Sequence, residues 1–443
     1  MHLISSVKTA VVRRLLARSG GVDLTKLDRV PERLTWPLNR NGVEPSRRLS
    51  RARDADPVMR LVSFMGLDIW LVTGYDEARD VLGNVSHSTD IRHLMGASGN
   101  VDTGDIGGLG FTDPPEHTRL RKLLTPEFTM RRLDRLKPSI QEIIDHQLDE
   151  TEAAAARDEG VVDLAQTFAF PVPFQVICDL LGLPSEQRER FRKLASSRFD
   201  VTKGGAGAVG AIGGSREFLL GETARQRHDP GPGLIGQIIR EHGDGISDFD
   251  LGGLADGAFT GGLETSASML ALGTSVLLQH RELWKSLAED PESVEPIVEE
   301  LLRHLAVVQV AFPRFVKEDV RVGRHLVKKG SVVLAHLPAA SRDPRSTAGD
   351  AFCPAKESSN HLAFGHGLHR CVGAELGRME LRAAFPALAR RFPDLQLAVD
   401  PADLSYHAKS IVYGIEALPV RLRGVVEQSA GRRAPLAHRR SAV

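Results

Sequence analysis

The chain has 443 residues, 42% hydrophobic and 26% charged, with 57 lysines and arginines against 57 aspartates and glutamates. That composition supplies a large globular core, and zero formal net charge argues against a dedicated nucleic-acid binder. Cys178, Cys353 and Cys371 are odd in number and lack C-x-x-C spacing, so a disulfide framework and a four-cysteine zinc site are excluded, and a reducing, cytoplasmic setting is expected.

Residues 1–55 are rich in arginine and weakly patterned, from Arg13 and Arg14 to Arg51 and Arg53. They are expected to form a partly disordered basic extension. It starts with a short amphipathic helix in which Lys8, Arg13 and Arg14 keep the apolar runs below signal-peptide length. From Val58 to Thr73 the alternation of Ile69, Leu71 and Thr73 with Trp70 and Val72 predicts two strands around a Gly66-Leu67-Asp68 turn. A helix follows over Tyr75 to Leu82. Polar, glycine-rich sequence without periodicity runs from Gly83 to Gly110, and a segment this long predicts a substrate-gating loop.

Apolar residues at three- and four-residue spacing then predict helices over 114–124, 131–156, 173–181, 185–197, 213–227, 234–242, 248–280, 281–289 and 293–305. A flexible linker, KGGAGAVGAIGG at 203–214, is expected to interrupt them. Within the long central helix Glu264, several glycines and hydroxyls argue for burial in protein, so no integral membrane segment is expected. VRVGRHLVKKGSVVLAHL predicts two short strands with turns at Gly323 and Gly330, and a last strand-rich patch spans 395–422. The expected fold class is mainly α with small β-sheets: one domain over 56–424, then a basic tail over 425–443.

Chemistry concentrates in HLAFGHGLHRCVG, residues 361–373. Close glycines let the backbone approach a bulky neighbour, and amide groups freed by glycine turns can hydrogen-bond a thiolate. A buried inert cysteine, or a zinc site from His361, His366, His369 and Cys371, is the plainer reading, but neither explains Phe364 or the glycine spacing. Phe364, Gly365, Gly367, His369, Cys371 and Gly373 form F-G-x-G-x-H-x-C-x-G, and here the sequence resembles the cytochrome P450 family.

The resemblance implies the triangular-prism fold of that family, with haem b between the long central helix and the Cys-loop helix. Cys371 would be the axial iron ligand, and Phe364, Gly365, His369 and Gly373 would cradle the cofactor. Three further segments follow the family's order. Glu300 and Arg303 in EELLRH match its E-x-x-R pair; at i and i+3 they share a helix face, which alone is a common surface arrangement. GGLETS, 261–266, matches its A/G-G-x-E/D-T signature. Neighbours on a helix point about 100° apart, so Thr265 can face bound oxygen while Glu264 faces a water chain. The alternative is a small-residue packing patch with Thr265 bonded to its own backbone.

DPPEHTRLRKLL places His117 and Arg121 on one helical face, and Arg314 and His369 match further positions that contact the haem propionates. Each alone reads equally well as a surface cation. Together they supply the donors that burying a dianion demands. Two departures stand out: no proline follows the E-x-x-R helix, and Lys356 occupies the place of the usual meander arginine, without its planar fork.

The resemblance further implies a monomeric bacterial monooxygenase that inserts one atom of O2 into a bulky apolar molecule of the steroid, terpenoid, fatty-acid or polyketide class. Electrons would come from a separate ferredoxin and ferredoxin reductase docking on the basic face near Cys371, and thiolate donation would favour O–O cleavage. The pocket is expected from the 83–110 loop, Gly257, Ala258 and Gly261, from Val310, Ala311 and Phe312, and from Val412 between Ile411 and Tyr413. A peroxide-dependent enzyme and a non-catalytic haem sensor are the rival readings.

Overall fold

The computed structural model describes residues 32–64, 67–90, 109–199, 205–347, 349–354, 360–407 and 409–422. The helix expected at the N-terminus, residues 91–108 of the gating loop, the turn residue Gly66, Lys356 and the tail after 425 lie outside these.

The alternating segment forms an antiparallel pair, β1 (Val58–Phe64) and β2 (Leu67–Val72). With β3 (His87–Ser88), β4 (Arg314–Val316) and β5 (Val332–Ala335) it makes a five-stranded sheet of order β1-β2-β5-β4-β3. β5 runs parallel to β2, pairing Val332 with Ile69 and Ala335 with Val72. This register joins two chain segments far apart in sequence, a non-local closure that periodicity cannot announce. The turn at Gly323 joins Val320–Val322 to His325–Val327 as expected.

Helices carry the remainder: α1 (Tyr75–Gly83), α2 (Glu116–Leu124), α3 (Lys137–Arg157), α4 (Pro171–Leu181), α5 (Gly205–His228), α6 (Asp248–Gln279), α7 (Val294–Leu305) and α8 (Ala374–Arg391). The helices read over 234–242 and 281–289 appear with those bounds. α6 starts on Ser247, whose hydroxyl accepts the Asp250 N–H, with Asp248 and Asp250 in its first turn, where negative charge is favoured. Past Leu263 it is buried almost all round, packed against α4, α5, α7 and α8. None of the helices among the described residues is long and apolar enough to cross a membrane.

Three expectations are corrected. The helix expected over 131–156 breaks into Met130–Leu133, a 3-10 turn at Asp134–Leu136, and α3, because Pro138 fits only a first helical turn. The linker expected over 203–214 is helical from Gly205. Packing overrides glycine's low helix propensity there: Phe218 stacks on Phe191, and Leu220 comes so near Gly252 of α6 that a Cβ would sit 2.5 Å from Leu220 Cδ2. The domain boundary expected at 55 moves N-terminally. The helix Arg47–Ala55 buries Leu49 and Arg53, Trp36 is 5% exposed, and Arg53 Nη1 donates to the carbonyls of Ala339 and Arg342. A count of arginines does not separate those that bind carbonyls from those that face water.

Candidate functional site

The glycine-rich segment folds into a tight loop ahead of α8. Gly365 N–H donates to Leu362 O at 2.8 Å, Cys371 N–H to Phe364 O at 2.9 Å and Arg370 N–H to Gly367 O at 3.1 Å. Gly367 has φ of 72°, and a Cβ on it would lie 2.6 Å from Leu82 O, so the loop can press against the end of α1 only with glycine there. Cys371 remains open on its surface. Around its sulfur, burial pushes the thiol pKa up, while the Gly373 N–H and Arg121, Arg370 and Arg378 favour the thiolate. Arg378 lies 4.7 Å over the Phe364 ring and is clamped by Glu299 and Glu375.

Four of the residues that sequence named for propionate binding converge beside this loop. The His117 and His369 rings are 4.3 Å apart, Arg121 Nη1 donates to Arg370 O at 2.8 Å, and Arg314 Nη1 donates to Phe312 O at 2.7 Å. Burial pushes His369 down to about 3, with Arg314, His117 and Arg121 adding repulsion. It also lowers His117, Arg121 and, to about 10, Arg314. The nearby carboxylate, Asp113, is engaged by Ser88 and Thr89.

His117 is 2% exposed, yet neither ring nitrogen has a partner among the described residues. Native structures rarely leave buried polar atoms so. A cofactor bearing carboxylates would satisfy this imidazole and offset the excess positive charge, and the Cys371 thiolate would offer an iron ligand. The residues present fit haem.

The zinc alternative does not survive. His361 Nε2 meets Glu299 at 3.2 Å and its Nδ1 accepts the Ala363 N–H, so both ring nitrogens are committed.

On α6, Thr265 Oγ1 donates to Gly261 O and Glu264 is half-buried one position earlier. Thr265 therefore makes the backbone bond of the packing alternative. Gly261 nevertheless has open space where a Cβ would stand, as does Gly257 one turn before. The next residue, Ser266, donates to Glu380 on α8. Glu380, which the sequence reading passed over, is 1% exposed, has no partner on Oε2 among the described residues, and is pushed up to about 8 by burial. A glutamate in GRMEL looks like a solvated helix residue; only the packing of α6 on α8 reveals it.

Glu300 and Arg303 are both fully buried and bidentate, Nε to Oε2 at 2.7 Å and Nη2 to Oε1 at 2.8 Å. Arg303 also donates to the carbonyls of Ser341, Gly349 and Ala351, and Glu300 accepts the Cys353 N–H. The pair thus ties α7 to the meander through backbone groups.

Of the expected pocket residues, Val412 pairs with Val308 and Val310 with His336. Ala311 N–H donates to Ala335 O, and Gln309 N–H to Ile411 O at 2.8 Å, so 307–312 and 411–413 form one continuous edge. Phe312 is 43% exposed and meets Phe111 edge-on at 4.8 Å. Ala258 is half-buried on α6 between the two open glycines.

A family model described as Cytochrome P450 matches residues 234–404. The chain is similar to Cytochrome P450 165C4 of Amycolatopsis orientalis, 37% identical over 393 residues, covering 86% of this chain and 96% of that protein. It is likewise similar to 6-deoxyerythronolide B hydroxylase of Saccharopolyspora erythraea, 35% identical over 396 residues, with 85% and 96% covered. Among solved structures, P450 StaH from glycopeptide antibiotic A47934 biosynthesis superposes with a TM-score of 0.78 at 37% identity, covering 87% of this chain and 99% of that one.

Proposed function

The chain belongs to the cytochrome P450 family and is a haem-thiolate monooxygenase, and from that premise we propose that it oxidises a bulky small molecule of the polyketide class, using a ferredoxin and its reductase in the cytoplasm. The observation that carries the substrate reading is the pair of vacant positions at Gly257 and Gly261 on α6, which leave room for a large ring system. A relative 32% identical, Polyketide biosynthesis cytochrome P450 PksS of Bacillus subtilis, supports the same class.

Haem would be held by the Cys371 thiolate and would supply oxygen activation. The rest is the work of this chain. His117, Arg121, Arg314 and His369 would hold the propionates and fix the cofactor's orientation. Thr265, whose hydroxyl bonds Gly261 O, would hold a proton for the oxygen substrate, and Glu264, half-buried one position earlier, would resupply it. Glu380 keeps a proton on its carboxyl group behind Ser266 at neutral pH. Val310, Ala311, Phe312 and Val412 exclude water beside the substrate. An acid–alcohol pair at 264 and 265 favours dioxygen over peroxide as oxidant. Arg370, exposed next to Cys371, lies on the face assigned to the ferredoxin.

The test is spectral. Macrolactones added to the ferric protein are expected to give the low-to-high-spin shift, and Gly261→Phe to abolish it while the carbon-monoxide spectrum stays unchanged. A Gly261→Phe protein with undiminished macrolactone binding contradicts this pocket.

A further inference from the structure

Arg40 belongs to the stretch that composition assigns to a solvated extension, yet it is the centre of a polar hub. Arg40–Asn41 pairs antiparallel with Glu44–Pro45, which turns the Arg40 side chain toward the end of α7. Nη1 donates to Leu305 O at 2.9 Å and Val43 O at 3.3 Å, Nη2 to Ala306 O at 3.2 Å and Nε to Gln309 Oε1 at 2.9 Å. The guanidinium lies over the Tyr413 ring, 4.5 Å from its centroid. α7 ends on Ala306 with φ of 35°, a left-handed conformation that disfavours a residue bearing a Cβ. The last carbonyls of a helix lack internal partners and attract cations, so the planar fork of arginine satisfies two of them and holds the strained cap.

The same hub reaches both sides of the pocket edge. Gln309 is fully buried, and its Nε2 donates to Leu38 O at 3.1 Å and Ser410 O at 2.7 Å. The Tyr413 hydroxyl donates to Gly42 O at 2.6 Å. Gln309 sits between Val308 and Val310, and Tyr413 follows Val412. In extended backbone, successive side chains alternate in direction, so fixing Gln309 and Tyr413 fixes the opposite aim of these valines.

We propose that Arg40 is a positioning residue for substrate: through Gln309 and Tyr413 it sets, from outside the pocket, the wall made by Val308, Val310 and Val412. This rests on the pocket reading above, and no contact between Arg40 and substrate is required.

The experiment titrates the haem-loaded protein with imidazole, which needs only iron, and with 4-phenylimidazole, whose ring must also fit beside the wall. Arg40→Ala is expected to weaken 4-phenylimidazole by at least about tenfold, as a misplaced wall would, and to leave imidazole within about twofold. Arg40→Lys, lacking the fork, is expected to resemble Arg40→Ala. Gln309→Met tests the hub independently should Arg40→Ala fail to fold, and the double variant is expected to be no weaker than the worse single, since both act through one network. Equal shifts for the two azoles, or additive effects, overturn the proposal. An original protein that binds imidazole but gives no response to 4-phenylimidazole contradicts the pocket reading instead.

Discussion

At the scale of single residues, Glu380 and Thr265 carry the sharpest expectations. The Glu380 carboxyl holds its proton to about 8 in the fold, against 4.5 ordinarily. The folded state therefore binds more protons than the unfolded chain between those values. This group's contribution to stability is greatest below about 4.5, declines as pH rises, and levels off above about 8, at roughly 1.4 kcal/mol per pH unit in the window. Glu380→Gln is expected to flatten that slope, so that urea unfolding of the variant loses less stability than the original between about pH 6 and pH 8; parallel curves contradict it. Thr265→Ala removes a hydroxyl but keeps the helix, and is expected to cut product formed per NADH by about tenfold or more with the carbon-monoxide spectrum intact. Unchanged coupling favours the peroxide-using alternative. Thr265 could be singled out because GGLETS is a local pattern. Glu380 and Arg40 were not, because their environments are made by segments far away in sequence: Ser266 for one, and Leu305, Gln309 and Tyr413 for the other.

At the scale of elements, α7 shows how a weak motif becomes specific. A glutamate and an arginine three apart are ordinary on a helix surface; here both are fully buried, and among the described residues their hydrogen-bond partners beyond the pair are backbone groups. Glu300→Gln leaves the Arg303 charge without its counter-charge in a dry site, and a loss of about 3–5 kcal/mol is expected, read as a lower midpoint of thermal unfolding and weaker haem retention. A variant with unaltered midpoint contradicts the claim that this pair anchors the meander. Amphipathic helices such as Leu234–His242 and Arg281–Glu289 were legible to the residue, since one face is apolar and each end is punctuated. Glycine-rich α5 was not: its propensity argues for a linker, and only its packing against α6 makes it a helix. The parallel pairing of β5 with β2 was equally hidden, because alternation predicts strands but not their neighbours.

At the scale of the whole molecule, the sheet, α6 and α8 border a region where an exposed cysteine, a buried imidazole with no partner among the described residues, and clustered cations meet. The unpartnered buried imidazole and the clustered cations are costly by themselves. A single cofactor with a metal and two carboxylates would pair the imidazole, balance the cations and take the thiolate as ligand. The proposed pocket, propionate clamp and role of Arg40 all take their meaning from iron at Cys371. The most direct measurement is the absorption spectrum of the reduced, carbon-monoxide-bound protein beside its Cys371→Ala variant. The account predicts the red-shifted thiolate-type Soret band in the original and its complete loss in the variant. The same band in Cys371→Ala, or a histidine-type band in the original, would contradict it.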